Sequence, residues 1–194
     1  MTAIDIAEVF VQHAQQMEVE ECFGIHYQVA SAVELPFGDS TFDFATAFMS
    51  LMDVPETALA LAESHRILKP GGFLQFSIAH PCFDTPHRRN LRDANHRTYA
   101  IEVGKYFQGS EGEVDEWLFK AAPWHAKQGL RKFKIPRFRR TLSYWLNLLL
   151  ETGFQLERIE EPRPSEETVA ACPDLQDAQV VSYFLHIRAR KSDA

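Results

Sequence analysis

The sequence predicts an α/β fold in which a doubly wound, mainly parallel sheet carries helices on both faces. Strand-like and helix-like segments alternate along most of the chain, which is the pattern of βαβ units. The stretch from residue 42 to residue 80 reads as strand, helix and strand, so its two strands should be parallel and its crossover right-handed. With 194 residues, 45% of them apolar and 24% charged, the chain suits one soluble domain with its own core.

The first quarter of the chain predicts three strands and a helix. The helix covers residues 7–20, and Phe10, Ala14 and Met17 share one of its faces. The strands are "TAID" (2–5), "IHYQVA" (25–30) and "FDFATAFM" (42–49), and "SAVELPFGDST" is a loop rich in turn residues. The first strand ends at Asp5 and leads directly into the helix, an arrangement that presents a carboxylate to a ribose in nucleotide-binding folds.

The segment "DVPETALALAESHRILKPGG" predicts the crossover helix of the βαβ unit. Pro55 fits the first helical turn, where its missing N–H costs nothing. Four residues at helical spacing share one face: Ala58, Leu61, Ala62 and His65. Pro70-Gly71-Gly72 should end the helix and turn the chain into the strand "FLQFSIAH" (73–80).

The alternation breaks between residue 81 and about residue 130. So long a stretch is too long for a bare loop in a compact domain, and it holds side chains that need burial, among them Trp117, Leu118, Phe119 and Trp124. We therefore expect a cap inserted at about 83–130. The pattern then predicts a strand at 132–135, a helix between Thr141 as N-cap and Gly153, a strand at 154–160, a short helix "PSEETVAA", and a final strand at 182–191.

Charge and cysteine content favour a cytoplasmic protein without a membrane span. No apolar run is long enough to cross a bilayer, and no basic region precedes an apolar one at the N-terminus. Three widely spaced cysteines form no disulfide framework. The net charge of −7 is uneven, because all twenty Lys and Arg residues fall from Arg66 onward. This asymmetry indicates either an anion-binding half or, as we favour, an acidic N-terminal part that an upstream segment would balance.

Three motifs between residues 35 and 72 carry a family resemblance. They are Leu35-Pro36-Phe37, Phe42-Asp43 and Arg66-Ile67-Leu68-Lys69-Pro70-Gly71-Gly72. In order and spacing they closely resemble class I S-adenosylmethionine (SAM)-dependent methyltransferases of the methyltransferase type 11 domain, and "LETGFQLERIEEPRPSEE" resembles the C-terminal part of these enzymes. The resemblance implies a Rossmann-like sheet with an antiparallel C-terminal strand, and SAM as cofactor.

The resemblance also implies that "TAID" is the family's second strand. The first strand and its glycine-rich cofactor loop would then be absent, so residues 1–194 are expected to form a single but N-terminally incomplete domain. In the family pattern the missing strand lies at the centre of the sheet. We expect that "TAID" pairs directly with "FDFATAFM", or that another chain fills the gap, so a homodimer is possible.

Six residues are expected to contact the cofactor: Asp5, Ile6, Ser31, Ala32, Val33 and Met49. A carboxylate at Asp5 accepts hydrogen bonds from both ribose hydroxyls, and the alternative is a solvated acid at a strand end. By resemblance, the segment Ala30–Val33 lies against the adenine. Many relatives carry Asp where Ser31 stands, so an uncharged Ser31 implies weaker binding.

His80 is the candidate general base, because it follows a strand at the edge where open α/β sheets bind ligands. The alternative, a buried structural histidine, weighs about equally. Weaker candidates lie in the cap: His87, His96, Tyr106 and His125. The spacing of His80, Cys82 and His87 does not match a zinc site, so no metal is expected.

The sequence thus predicts an enzyme that methylates a small molecule. The alternative is a truncated or diverged, non-catalytic methyltransferase-like protein that lacks the cofactor loop. A third possibility is nucleic-acid modification through the basic stretch "KQGLRKFKIPRFRR" (127–140), although a solvated strand pair with outward charges explains this stretch better. The cap, which would choose the methyl acceptor, does not name it.

Overall fold

The computed structural model describes residues 1–117 and 131–192. The described helices are α1 (Glu8–Glu21), α2 (Thr57–Ile67), α3 (Leu142–Glu151) and α4 (Glu166–Ala171), with 3₁₀ helices at Leu51–Asp53 and Pro173–Gln179. The described strands are β1 (Thr2–Asp5), β2 (His26–Val29), β3 (Phe42–Phe48), β4 (Leu68–Ala79), β5 (His87–Arg92), β6 (Thr98–Gly104), β7 (Glu113–Trp117), β8 (Phe133–Arg137), β9 (Phe154–Glu160) and β10 (Phe184–Lys191). None of these helices is long and apolar enough to cross a membrane.

The main sheet has four strands in the order β3-β4-β10-β9. β3 and β4 are parallel, whereas β10 runs antiparallel to both β4 and β9. Three of the four strands therefore point the same way, and the C-terminal strand is the antiparallel one, as predicted. Together with the parallel pair β1-β2, this gives the α/β architecture with a mainly parallel sheet that the sequence indicates.

The core lies around β4. Leu74, Phe76 and Ile78 of this strand are almost completely buried, and Trp145 of α3 packs with its ring centroid 5.8 Å from that of Phe76. α2 adds Leu61, which is fully buried in the same cluster. Both ends of α3 follow the prediction, because the Thr141 hydroxyl accepts a hydrogen bond from the Tyr144 N–H at 3.2 Å and Gly153 has φ +96°.

Of the two arrangements predicted for the sheet centre, the direct pairing of β1 with β3 is the one that this chain tests. Within the described residues β1 pairs only with β2, and β3 pairs only with β4, so "TAID" does not pair with "FDFATAFM". No described strand links the β1-β2 pair to the four-stranded sheet, and this break in the pairing is the gap. Phe48 on β3 is 58% exposed and Phe10 on α1 is 64% exposed. Val11 is the one buried residue of α1.

The start of β4 differs from the prediction. The strand begins at Leu68 rather than after Gly72, and residues 69–72 bulge out of its pairing with β3. Gly71 takes φ +72° within this bulge. Pro-Gly-Gly therefore turns the chain inside a strand and does not terminate the helix, which ends at Ile67.

The cap consists in part of two hairpins. β5 pairs with β6, and β7 pairs with β8, both antiparallel. Because β8 lies beyond residue 130, the second hairpin extends past the range that we predicted for the cap. Phe119, Trp124 and His125 lie outside the described residues. The side chain of Trp117 is likewise not described.

Candidate functional site

A cleft of about 610 Å³ opens at the carboxyl ends of β3 and β4. This is the edge where open α/β sheets bind ligands. The wall is mostly apolar and carries four charged side chains; its lining residues are Met49, Met52, Asp53, Ala79, Phe83, Asp84, Arg88, Ile135, Arg137, Tyr183 and Phe184. Cap strands β5 and β8 thus form one side of the cleft, and the sheet forms the other.

Met49 joins β3 to this cleft in an unusual backbone conformation. Its φ of +53° lies in the left-handed region, which non-glycine residues rarely adopt. The Met49 N–H donates to the backbone oxygen of Ser77 at 2.9 Å and to its hydroxyl at 3.2 Å, and Ser77 is itself buried. These contacts hold the strand end in place, as expected where a fold fixes residues for function.

Asp53 is the partly buried carboxylate of the cleft. Within the described residues its side chain accepts no hydrogen bond, and Oδ1 is shielded from solvent. The nearest cation is Arg137, with 3.9 Å between Nη1 and Oδ1. Burial raises the pKa of Asp53; the Arg137 charge opposes this shift, and the Asp84 charge adds to it.

The two arginines of the cleft are already engaged by neighbouring groups. Arg137 bonds Oδ2 of Asp115 through its Nε at 3.1 Å, across the β7-β8 hairpin. Arg88 lies over the ring of Tyr183, 4.5 Å from its centroid. The polar part of the cleft is therefore balanced in charge, and no described residue donates a hydrogen bond to the Asp53 carboxylate.

The structure brings Asp5 and the segment Ala30–Val33 together at the carboxyl ends of β1 and β2. The Ala30 N–H donates to the backbone oxygen of Asp5 at 3.1 Å. The Asp5 carboxylate is exposed, and its Oδ1 accepts from the Ala7 N–H at 2.7 Å, which fixes its direction. Ala32 and Val33 pack against the core, whereas Ile6 is 74% exposed.

These residues fit the adenosine part of SAM. One oxygen of Asp5 has no hydrogen bond to a described residue and is open to a ribose, and Ala32 and Val33 offer an apolar surface beside it. The Ser31 hydroxyl accepts only a long 3.4 Å bond from the Val33 N–H, so it remains able to accept from an adenine amino group. For the methionine part, no described strand pairs with both β1 and β3 to carry a glycine-rich loop between the two sheets.

The His80 side chain is fixed by hydrogen bonds at both ring nitrogens and is not free to accept a proton from a substrate. It is 3% exposed, its Nε2 lies 2.7 Å from Oε1 of Glu161, and its Nδ1 accepts from the Cys82 N–H at 3.2 Å. Both ring nitrogens are thus occupied, and His80 is not among the residues that line the cleft. This geometry favours the structural alternative, in which His80 fixes the chain after β4.

Two of the weaker candidates in the cap, His87 and Tyr106, also have hydrogen-bonding partners. His87 lies 2.7 Å from Glu102 across the β5-β6 hairpin, and the Tyr106 hydroxyl accepts from the Leu142 N–H at 2.9 Å. His96 takes φ +61° in the turn between β5 and β6. Among the described residues no group of three or more His, Cys, Asp or Glu side chains could hold a metal ion.

The basic stretch has acidic partners in its described part. Lys134 pairs with Glu116 at 3.1 Å, Arg139 with Asp115 at 3.0 Å, and Arg140 with Glu111 at 3.1 Å. The acids lie on or just before β7, so the charges of the hairpin largely compensate one another. This arrangement favours the solvated strand pair over a nucleic-acid surface.

Sequence comparisons point to one family. The profile of the family described as "Methyltransferase domain" matches residues 1–76. A demethylmenaquinone methyltransferase of Listeria monocytogenes is 31% identical over 124 residues, which cover 61% of this chain and 49% of the relative. An O-methyltransferase of Penicillium expansum is 42% identical over 65 residues, which cover 32% of this chain and 24% of the relative. The chain thus spans about half or less of the length of these curated relatives.

The fold comparison agrees. The crystal structure of an S-adenosylmethionine-dependent methyltransferase from Mesorhizobium loti superposes with a TM-score of 0.74 and 26% identity, covering 98% of this chain and 80% of that one. The chain is thus similar to SAM-dependent methyltransferases in sequence over its first 76 residues and in fold over almost its whole length.

Sequence reasoning missed Asp53 and Asp84 as site residues. Both follow the carboxyl end of a strand, Asp53 after β3 and Asp84 after β4, and that placement was a usable signal. His80 was predicted instead because it follows β4 at the same edge of the sheet. The raised pKa of Asp53 comes from its burial and from the charges of Arg137 and Asp84, which are distant in the sequence, so no local pattern reveals it.

Proposed function

We propose that this protein transfers a methyl group from SAM to a small-molecule acceptor held in the cleft at the ends of β3 and β4. The observation that carries the proposal is the position of the cleft. It lies at the ligand-binding edge of a methyltransferase fold, and Met49 of its wall ends the strand next to the gap. SAM supplies, when bound, a methyl group that is already activated as a sulfonium.

The residues of this chain would act mainly by binding and alignment. Asp5 holds a ribose and Ala30–Val33 border the adenine, while the apolar wall of the cleft orients the acceptor. Holding two reactants in line supplies much of the rate of a displacement reaction. The mostly apolar lining also excludes water, which would compete with the acceptor.

Calorimetric titration with SAM tests this function. Asp5 offers charge-assisted hydrogen bonds worth roughly 1.5–3 kcal/mol each, but the described chain lacks a loop for the methionine part. We expect the 194-residue chain to bind SAM a few powers of ten more weakly than a chain extended upstream in its coding frame. An Asp5→Ala variant of the extended chain should lose roughly tenfold in affinity or more.

Micromolar binding by the short chain would show that the loop is dispensable. If neither chain binds SAM, the methyltransferase function is wrong and the second candidate, a non-catalytic methyltransferase-like protein, stands. The observation that favours this second candidate is that β1 and β3 each have an edge with no partner strand among the described residues. A SAM-dependent dimer in sedimentation would indicate that a second copy fills the gap.

A further inference from the structure

Asp53 has no hydrogen-bonding partner among the described residues, although it lies in the wall of the cleft. Its side chain is 29% exposed while Oδ1 is shielded from solvent, and Asp53 is one of the residues that line the cleft. A partly buried carboxylate without a donor is costly, and such groups in native proteins call for an explanation. A ligand that donates a hydrogen bond into the cleft would satisfy it.

The position of Asp53 also suits a reaction centre. It lies on the 3₁₀ helix that directly follows β3, four residues after Met49, and Met49 lines the same cleft. The charged groups that face it are Arg137 from β8, Asp84 from the segment after β4, and Arg88 from β5. Burial raises the pKa of Asp53, which makes its carboxylate a stronger base than an exposed one.

We propose that Asp53 is the general base of this site and that the methyl acceptor is a flat, largely apolar molecule whose hydroxyl group donates to Asp53. This inference rests on the proposed function. The apolar body of the acceptor is inferred from the apolar residues that line the cleft, among them Met52, Phe83, Ile135 and Phe184. The pairing of Arg137 with Asp115 and the second carboxylate at Asp84 argue against an anionic group.

The step balances without a further reagent. A lone pair of the acceptor oxygen forms the bond to the methyl carbon, the methyl–sulfur bond breaks, and its electron pair stays on sulfur. The hydroxyl proton passes to the Asp53 carboxylate. The products are a methyl ether, a neutral thioether and a protonated Asp53, which releases its proton to solvent.

Two probes of similar size test the inference on the 194-residue protein without cofactor. 2-Naphthol has the hydroxyl donor, and 2-methoxynaphthalene lacks it. Fluorescence titration at pH 7 should show 2-naphthol binding about tenfold more tightly, because one charge-assisted hydrogen bond separates the two. Asp53→Ala should abolish this preference, and Asp53→Asn, which keeps the side-chain volume, should remove most of it. Asp84→Ala, a matched carboxylate deletion in the same wall, should keep it.

The pH dependence of the preference for 2-naphthol is a second measurement. It would not change if Asp53 had only a structural role. The preference requires an ionised Asp53, so it should fade as the pH falls through the raised pKa of this group. In Asp84→Ala the preference should be lost at a lower pH, because removing a like charge lowers the pKa of Asp53. Arg137→Gln should move this loss to a higher pH.

Equal affinity for the two probes, or a preference that survives Asp53→Ala, would overturn the role of Asp53. Failure of both probes to bind would overturn the apolar acceptor class. Neither result would touch the SAM titration, which tests the proposed function separately.

Discussion

Gly72 shows how one absent side chain fixes the contact between β3 and β4. A Cβ at this position would lie 2.9 Å from the backbone oxygens of Asp43 and Lys69. Neither neighbour is a flexible side-chain tip, so the backbone itself would have to move. The Lys69–Asp43 ion pair at 2.8 Å lies at the same bulge and lowers the pKa of Asp43.

We therefore expect Gly72→Ala to lower the free energy of unfolding by about 1–3 kcal/mol. Gly38→Ala is the matched control, because a Cβ there meets only the Thr41 hydroxyl at 3.6 Å, an ordinary contact. It should change stability by no more than about 0.5 kcal/mol. Urea denaturation of both variants measures the difference, and equal stabilities would contradict the steric argument.

The loop before β3 is held to α2 by Arg66. Its guanidinium donates to the backbone oxygens of Leu35 at 3.1 Å and Phe37 at 2.7 Å, and also bonds Glu63 and Asp39. Glu63 in turn accepts from the Leu35 N–H at 2.8 Å. This network explains physically why the motif around Leu35 and the motif at Arg66 occur together.

Arg66→Gln should cost about 1–3 kcal/mol of unfolding free energy, because it leaves two partly buried carbonyls and a carboxylate without their donor. The pKa of Glu63 is lowered chiefly by its hydrogen bond to Arg66. Its contribution is therefore complete above the ordinary pKa of 4.5 and is lost as the pH falls below that value.

Thermal unfolding between pH 7 and pH 3 checks both parts of this prediction. The stability of Arg66→Gln should fall less steeply with acid than that of the wild type. Arg158→Gln is the control, since its partner Glu160 is about half exposed and such pairs contribute little. An unchanged acid slope in Arg66→Gln would exclude the coupling.

Local sequence patterns predicted the elements that have a clear hydrophobic periodicity or helix-capping residues. Thr141 and Gly153 bound α3 as expected, because cap chemistry is local. The hairpin β5-β6 was not predicted, since "HRRNLR" has no alternation and is stabilised by cross-strand pairs such as His87–Glu102. The partly buried Asp53, whose Oδ1 accepts no hydrogen bond from a described residue, and the two occupied nitrogens of His80 arise from contacts between distant segments. No window of sequence contains these contacts.

At the scale of the whole molecule, residues 1–29 form a weakly attached unit. β1 and β2 pair only with each other in the described chain, and α1 buries only Val11. α3, by contrast, buries Trp145 and Leu149 in the core. Segments with few buried apolar contacts open most readily.

Hydrogen–deuterium exchange should show this division. We expect amides of α1 to be protected at least about 100-fold less than those of α3. The upstream-extended chain should reduce the difference if a strand enters the gap, and the 194-residue chain provides the matched reference. Equal protection of α1 and α3 in the short chain would show that the N-terminal unit is held by the core after all.

The central place of β10 has a consequence for the order in which the chain folds. Arg190 of this strand bonds the backbone oxygen of Gly71, 119 residues earlier in the sequence. β10 is the last strand to be synthesised, and it pairs with both β4 and β9. One edge of β4 therefore stays unpaired, and β9 has no partner in the sheet, until nearly the whole domain has been made. Pairings between such distant segments form slowly and leave partly folded intermediates that are prone to aggregation. We therefore expect the yield during expression to depend on chaperones and on temperature because of the sheet topology, independently of the stability of the folded protein.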